Sequence, residues 1–178
     1  QIEVINSLIA QKVYAIAISA NDRDALASIG KKAMDRGITV ISWYSGIAEE
    51  GRVMNLDPSN TALIGSSNIK WMKNSMGDEG EFAILSATSQ ATNQNAWIEE
   101  MKKEFAKPEY SKMTWVDTVY GDDRFDKSYQ EALGIFKKHP NLQVIIVPTS
   151  DGIVAAAKAV VDQGLVGKAF VTGLRLPS

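Results

Sequence analysis

Apolar and polar positions along the chain fall into short blocks whose period switches between helix and strand. Ile2, Ile5, Leu8 and Ile9 recur at helical spacing from the first residues. The chain is therefore expected to begin inside an element, with an N-terminal piece preceding it. Tyr14-Ala-Ile-Ala-Ile-Ser19 is a short apolar run, after which Asn21-Asp22 offers an N-cap for a helix from about Arg23 to Arg36, closed by Gly37. Ile38-Thr-Val-Ile-Ser-Trp43 is β-branched and apolar, the composition of a strand buried on both faces, and it ends in the polar turn Tyr44-Ser45-Gly46. Arg52 to Leu56 is a weaker strand. Asp57-Pro58-Ser59 then predicts a helix start, with Pro at the first helical position, running to about Ser75.

The alternation then repeats. Strands are predicted at Glu81 to Ser86, Thr114 to Tyr120, Leu142 to Val147 and Ala169 to Leu174, and helices at Asn95 to Ala106, Asp126 to Lys138 and Gly152 to Gln163. This is an α/β chain: two Rossmann-like lobes, each a parallel sheet flanked by helices, incomplete at both ends. The polar-spaced stretch 46–57 breaks the rhythm and is the expected hinge, with residues 1–53 in a first lobe and 54–178 in a second.

With 178 residues, 45% hydrophobic and 22% charged, the chain can bury a full core. A net charge of −2 without blocks of like sign removes the electrostatic footprint of a nucleic-acid partner. There is no cysteine, so disulfides and thiolate metal sites are excluded. No apolar run reaches the roughly 18 residues of a membrane span.

Catalytic signatures are sparse. The single histidine, His139, follows Lys137-Lys138 at a helix end, where cations complement the dipole, and it lacks the partners that a triad or a zinc site needs. The nucleophile elbow, the P-loop and the dinucleotide fingerprint are all missing. Asp122, Asp123 and Asp126 cluster after a strand. They read either as a helix start with acidic first-turn residues or as a carboxylate site for a hard cation or a sugar.

In open parallel sheets ligands gather beyond the carboxyl ends of the strands. Those loops are rich in uncharged hydrogen-bonding groups: Ser19, Asn21 and Asp22; Trp43, Tyr44 and Ser45; Thr88 to Asn95; Asp122 to Arg124; Thr149 to Asp151; and Arg175. Amides and hydroxyls beside aromatic rings suit a neutral polyol, because an amide donates and accepts together and ring faces pack on sugar C–H groups. Each is equally a common cap or turn residue.

The residues that carry this pattern also carry a likeness. Trp43-Tyr-Ser-Gly, Gly51-Arg-Val-Met-Asn-Leu-Asp-Pro-Ser, Ala87-Thr-Ser-Gln-Ala-Thr-Asn-Gln-Asn-Ala-Trp, Tyr120-Gly-Asp-Asp, Val147-Pro-Thr-Ser-Asp-Gly and Val171-Thr-Gly-Leu-Arg-Leu-Pro-Ser resemble the rhamnose-binding proteins of bacterial ABC importers. That group is related to the autoinducer-2-binding and ribose-type members of the type I periplasmic binding proteins. The resemblance implies two lobes closing on a small sugar, no catalysis, no cofactor and no metal. It further implies delivery to an ABC permease, and a full-length monomer in the periplasm or lipid-anchored outside the cytoplasmic membrane.

Placement after a strand makes Asn21 and Trp43 expected ligand contacts, and position by position the resemblance points to Tyr44, Asn93, Gln94, Pro148, Thr149, Ser150 and Arg175. Three of these depart from the relatives. Asn93 stands where the autoinducer-binding group has Asp, Arg175 where ribose-type proteins place a ligand-binding Asp, and Tyr44 where those proteins carry an Asp that grips hydroxyls. Losing such a charge-assisted acceptor costs about 1.5–3 kcal/mol, while a tyrosine ring can instead stack on a deoxysugar. Three other readings share the fold or the ligand chemistry: the cytoplasmic effector domain of a sugar-responsive transcription regulator, an autoinducer-2-type binder, and an enzyme using Asp122 and Asp123.

Overall fold

Among residues 1–174, which the computed structural model describes, helices and strands alternate almost without exception. In chain order they are α1 (Ile2–Ala10), β1 (Ala15–Ile18), α2 (Ala27–Met34), β2 (Thr39–Trp43), β3 (Met54–Leu56), α3 (Thr61–Met76), β4 (Gly80–Ser86), α4 (Thr92–Phe105), β5 (Met113–Tyr120), α5 (Phe125–Lys138), β6 (Leu142–Val147), α6 (Ser150–Asp162) and β7 (Phe170–Gly173). The strands form two sheets, ordered β1-β2-β3 and β5-β4-β6-β7. Every pairing is parallel, as the alternating pattern requires.

The chain divides into two compact units, one of residues 1–61 with 90–96, the other of residues 62–89 with 97–178. The expected lobe boundary at 53/54 therefore moves to 61/62. The reason is backbone pairing: β3 continues the first sheet, with Ile41, Ser42 and Trp43 of β2 in register with Met54, Asn55 and Leu56. The stretch 46–57, read as a hinge, also holds a short 3-10 turn at Glu49–Gly51.

The core of the first unit gathers Ile5 and Ile9 of α1, Ile16 and Ile18 of β1, Val40 of β2, and Leu26, Ile29 and Ala33 at α2. Both helices thus bury their apolar stripes with the same alternate residues of the strands. Consequently β2 is not buried on both faces as its composition suggested: Val40 and Ser42 are buried, while Thr39 and Trp43 are exposed.

In the second unit β4 is central and is buried on both sides. Ala83 and Leu85 join Ala132, Ile135 and Phe136 of α5 and Ala156, Ala159 and Val160 of α6. On the opposite face Phe82 meets the rings of Phe105 in α4 and Trp115 in β5, at centroid distances of 5.1 and 5.5 Å. Helices cover both faces, as a buried parallel sheet demands.

Helix starts shift from their expected places, and at α2 and α3 the cause is a polar side chain that binds local backbone or a neighbour. Asp22 Oδ1 accepts from the N–H groups of Asp24 and Ala25 at 3.1 and 2.9 Å, a turn that delays α2 to Ala27. Asp57 accepts instead from the Asn55 amide, and α3 starts at Thr61, beyond Pro58. At α4 the start is earlier. The Asn95 N–H already donates to the Ala91 carbonyl at 2.9 Å, so Asn93 and Gln94 lie in the first helical turn rather than in a loop.

Candidate strand-end binding site

Because all pairings within a sheet are parallel, the strands of each sheet end along one edge. In the second unit the strand order reverses between β4 and β6. From β4 the chain passes outward through α4 to β5, returns across through α5 to β6, then continues outward through α6 to β7. This is the topological switch point of an open α/β sheet, where a crevice opens beyond the carboxyl ends of the two diverging strands. Residues 87–89 and 148–150 stand there.

Pro148 is buried at the end of β6, and Thr149 is the N-cap of α6, its Oγ1 accepting from the Gly152 N–H at 2.9 Å. Ser150 opens the helix. Beside β4, the end of β5 is bound down by the Gly121 and Asp122 N–H groups, which donate to the Ser86 and Ala87 carbonyls at 2.9 and 3.0 Å. Asp122 and Asp123 both have positive φ, and the Arg124 N–H donates to the Gly121 carbonyl at 3.0 Å, the signature of a type I′ turn. Asp122 is paired with Lys127 at 2.7 Å and Asp126 lies in the first turn of α5. The acidic trio thus builds a turn and a helix start.

The first unit contains five of the residues singled out from the sequence: Asn21, Trp43, Tyr44, Asn93 and Gln94. Asn21 is exposed after β1, its N–H donating to Gln1 Oε1 at 3.0 Å. Trp43 closes β2 with 51% of its surface exposed, so its ring is not part of the core. Tyr44 has φ +63°, and its N–H donates to the Leu56 carbonyl at 2.8 Å. Asn93 Oδ1 accepts from the Gln94 N–H at 2.9 Å, satisfying one of the free donors at the start of α4. Gln94 is buried. Arg175 lies outside the described residues.

Several polar groups at these strand ends escaped the sequence reading. Ser42, fully buried, donates to Asn55 Oδ1 at 2.6 Å, and Asn55 Nδ2 donates to Asp57 Oδ1 at 2.6 Å. Ser45, which the sequence did place at this strand end, is also buried. A signal existed for Asn55: asparagine is disfavoured in strands, and here it interrupts Met54 and Leu56.

The periplasmic binding protein domain family matches residues 1–178. The chain belongs to that family. A solved ABC transporter solute-binding protein from Clostridium phytofermentans, with bound L-rhamnose, is 41% identical over 99% of this chain and 55% of that one, with a TM-score of 0.97. A sugar ABC transporter structure from Actinomyces odontolyticus is 36% identical over 99% of this chain and 57% of that one, with a TM-score of 0.69. The D-ribose/D-allose-binding protein of Pseudomonas aeruginosa is 26% identical over 97% of this chain and 55% of its own length. The chain thus spans little more than half the length of these relatives.

The domain's homologues are solute-binding proteins rather than enzymes. None of the helices among its described residues is long and apolar enough to cross a membrane, and no group of three or more His, Cys, Asp or Glu among those residues could hold a metal ion. His139 does not simply face water at the end of α5. Its Nε2 lies 3.4 Å from Asp117 Oδ2, which Lys138 Nζ also meets at 2.7 Å. The Lys138 ammonium holds the Asp117 carboxyl below the usual carboxylate range against the opposing effect of burial, and His139 adds to the lowering.

The Thr149 cap lends itself to a direct check. Thr149→Ala removes the acceptor for the Gly152 N–H and is expected to lower folding stability by about 1 kcal/mol, read as a lower urea midpoint at unchanged slope. An unchanged midpoint would mean that this bond does not hold the start of α6.

Proposed function

We propose that this periplasmic binding protein domain belongs to the extracytoplasmic solute-binding component of an ABC sugar importer and contributes contacts to an aldose or deoxyaldose, rhamnose first among them. The observation that carries the reading is the likeness to the L-rhamnose-bound protein of Clostridium phytofermentans over 99% of the chain. The chemistry of the strand ends supports it. Trp43 offers an exposed ring face, Tyr44 a second ring, and Asn21, Asn93, Gln94, Thr149 and Ser150 amides and hydroxyls suited to a neutral polyol. Pro148 adds an apolar edge, and Arg175 a cation. Binding, not bond making, is the function; the partner is a membrane permease, and the protein works as a monomer outside the cytoplasmic membrane.

A thermal-shift series on the intact protein with L-rhamnose, D-ribose and D-allose tests this reading. A sugar at 100 times its Kd adds about 2.7 kcal/mol of stability, so the cognate ligand is expected to raise the midpoint clearly and L-rhamnose to raise it most. A flat response to all three would reject the sugar assignment; a larger shift with D-ribose or D-allose would reject rhamnose alone.

A further inference from the structure

The turn that ends β2 follows a backbone course its own residues disfavour. The Ser45 N–H donates to the Trp43 carbonyl at 2.7 Å, closing a three-residue γ-turn whose central residue, Tyr44, has φ +63°. The γ-turn with positive φ at its centre is the rare, strained form, and a bulky aromatic residue gains nothing in that region. Such strain persists only where the surroundings over-determine it, and it concentrates at functional sites.

Those surroundings converge on one side chain of the neighbouring strand. The Tyr44 N–H donates to the Leu56 carbonyl at 2.8 Å, and the Ser45 carbonyl accepts from the Ala20 N–H at 2.8 Å, which tie down the backbone. Asn55 grips the turn from both ends. Before it, the buried Ser42 hydroxyl donates to Asn55 Oδ1 at 2.6 Å. After it, a Cβ on Gly46 would stand 2.9 Å from Asn55 Oδ1 and 3.1 Å from its Cγ, so a larger residue there would have to push the amide aside. Asp57 fixes the amide's orientation. A carboxylate only accepts, so it takes Nδ2 as donor at 2.6 Å and leaves Oδ1 turned to Ser42.

We propose that Asn55 is the positioning residue of the Trp43-Tyr44 turn and, by holding Tyr44 in its left-handed conformation, sets which sugar the domain prefers. The selectivity part rests on the sugar-binding reading above; the conformational part does not. Removing the amide leaves the Ser42 hydroxyl buried without its acceptor and a gap beside Gly46, and the γ-turn relaxes to negative φ at Tyr44. The Trp43 and Tyr44 rings then leave the places from which they discriminate between ligands, whereas a merely structural Asn55 would weaken every sugar alike.

The test compares wild type and Asn55→Ala in the intact protein, by titration with L-rhamnose and D-ribose and by crystal structure. The expected results are a change of about tenfold or more in the ratio of the two dissociation constants and a Tyr44 that has left the positive-φ region. A ratio unchanged while both affinities fall together, or a Tyr44 still left-handed in the variant, would overturn the proposal. Should wild type bind neither sugar, the sugar reading fails and the Tyr44 conformation in Asn55→Ala alone decides the positioning role. If Asn55→Ala does not fold, Ser42→Ala cuts the same chain more gently: a smaller shift of the ratio in the same direction supports the proposal, and an unchanged ratio refutes it.

Discussion

Phe82→Ala is expected to lower folding stability by about 3–5 kcal/mol, the largest single-residue effect anticipated here. Phe82 lies in the central strand β4 with none of its surface exposed. Its ring meets Phe105 edge-on at 5.1 Å and Trp115 at 5.5 Å, and Phe105 in turn meets Tyr110 at 6.1 Å. Tyr110 is itself anchored, its hydroxyl donating to Glu104 Oε1 at 3.0 Å, and burial together with the Glu104 carboxylate pushes that phenol's pKa well up. A cluster held at both ends cannot collapse into the space a missing ring leaves, so the cavity cost adds to the lost burial. Against total stabilities of about 5–15 kcal/mol, that is roughly a fifth or more of the margin. Urea denaturation followed by far-UV circular dichroism measures it; a loss under about 1 kcal/mol would mean the aromatic cluster is not the anchor of the second sheet.

Gln94→Ala is expected to weaken sugar binding by about 1–3 kcal/mol, roughly 5- to 150-fold, with little change in stability. Gln94 sits in the first turn of α4 with 5% of its surface exposed, so its amide meets any partner out of bulk water, where an unpaired hydroxyl on either side is costly. The adjacent Asn93 already serves the helix, since its Oδ1 accepts the Gln94 N–H. Asn93→Ala should accordingly lower the thermal midpoint by the equivalent of about 1 kcal/mol. Titration of Gln94→Ala beside its melting curve separates the roles. A lower midpoint with unchanged affinity would make Gln94 a structural residue of α4 and would move the binding site elsewhere.

The parts of this fold that were legible in the sequence are those where side-chain pattern and burial coincide. Leu142 to Val147 emerges as β6 with the predicted limits, because an apolar run rich in β-branched residues, broken only by Gln143 and bracketed by Asn141 and Pro148, favours a buried strand at that length. The two parallel sheets follow from the same alternation. β3 is a strand as expected, starting two residues later than Arg52, but its partner was not legible: Met54 and Leu56 are 52% and 65% exposed, so neither burial nor periodicity reports the pairing to β2.

The helix starts slipped for a related reason. Whether Asp57 caps α3 or accepts from Asn55 depends on a neighbour in space, which local spacing does not contain. The strand-end residues were legible as a class, through their hydroxyls and amides. The left-handed turn at Tyr44 was not, since nothing in the propensities of tyrosine announces positive φ; it comes from Ser42, Asn55 and Gly46 acting together across two strands.

Equilibrium dialysis of the intact protein against labelled L-rhamnose, with the sugar recovered and its structure checked afterwards, decides between binding without chemistry and any other role. Saturable binding at one site per chain and recovery of the sugar unchanged are expected. Absence of saturable binding to L-rhamnose, D-ribose and D-allose alike, or recovery of a chemically altered sugar, would contradict sugar binding without chemistry.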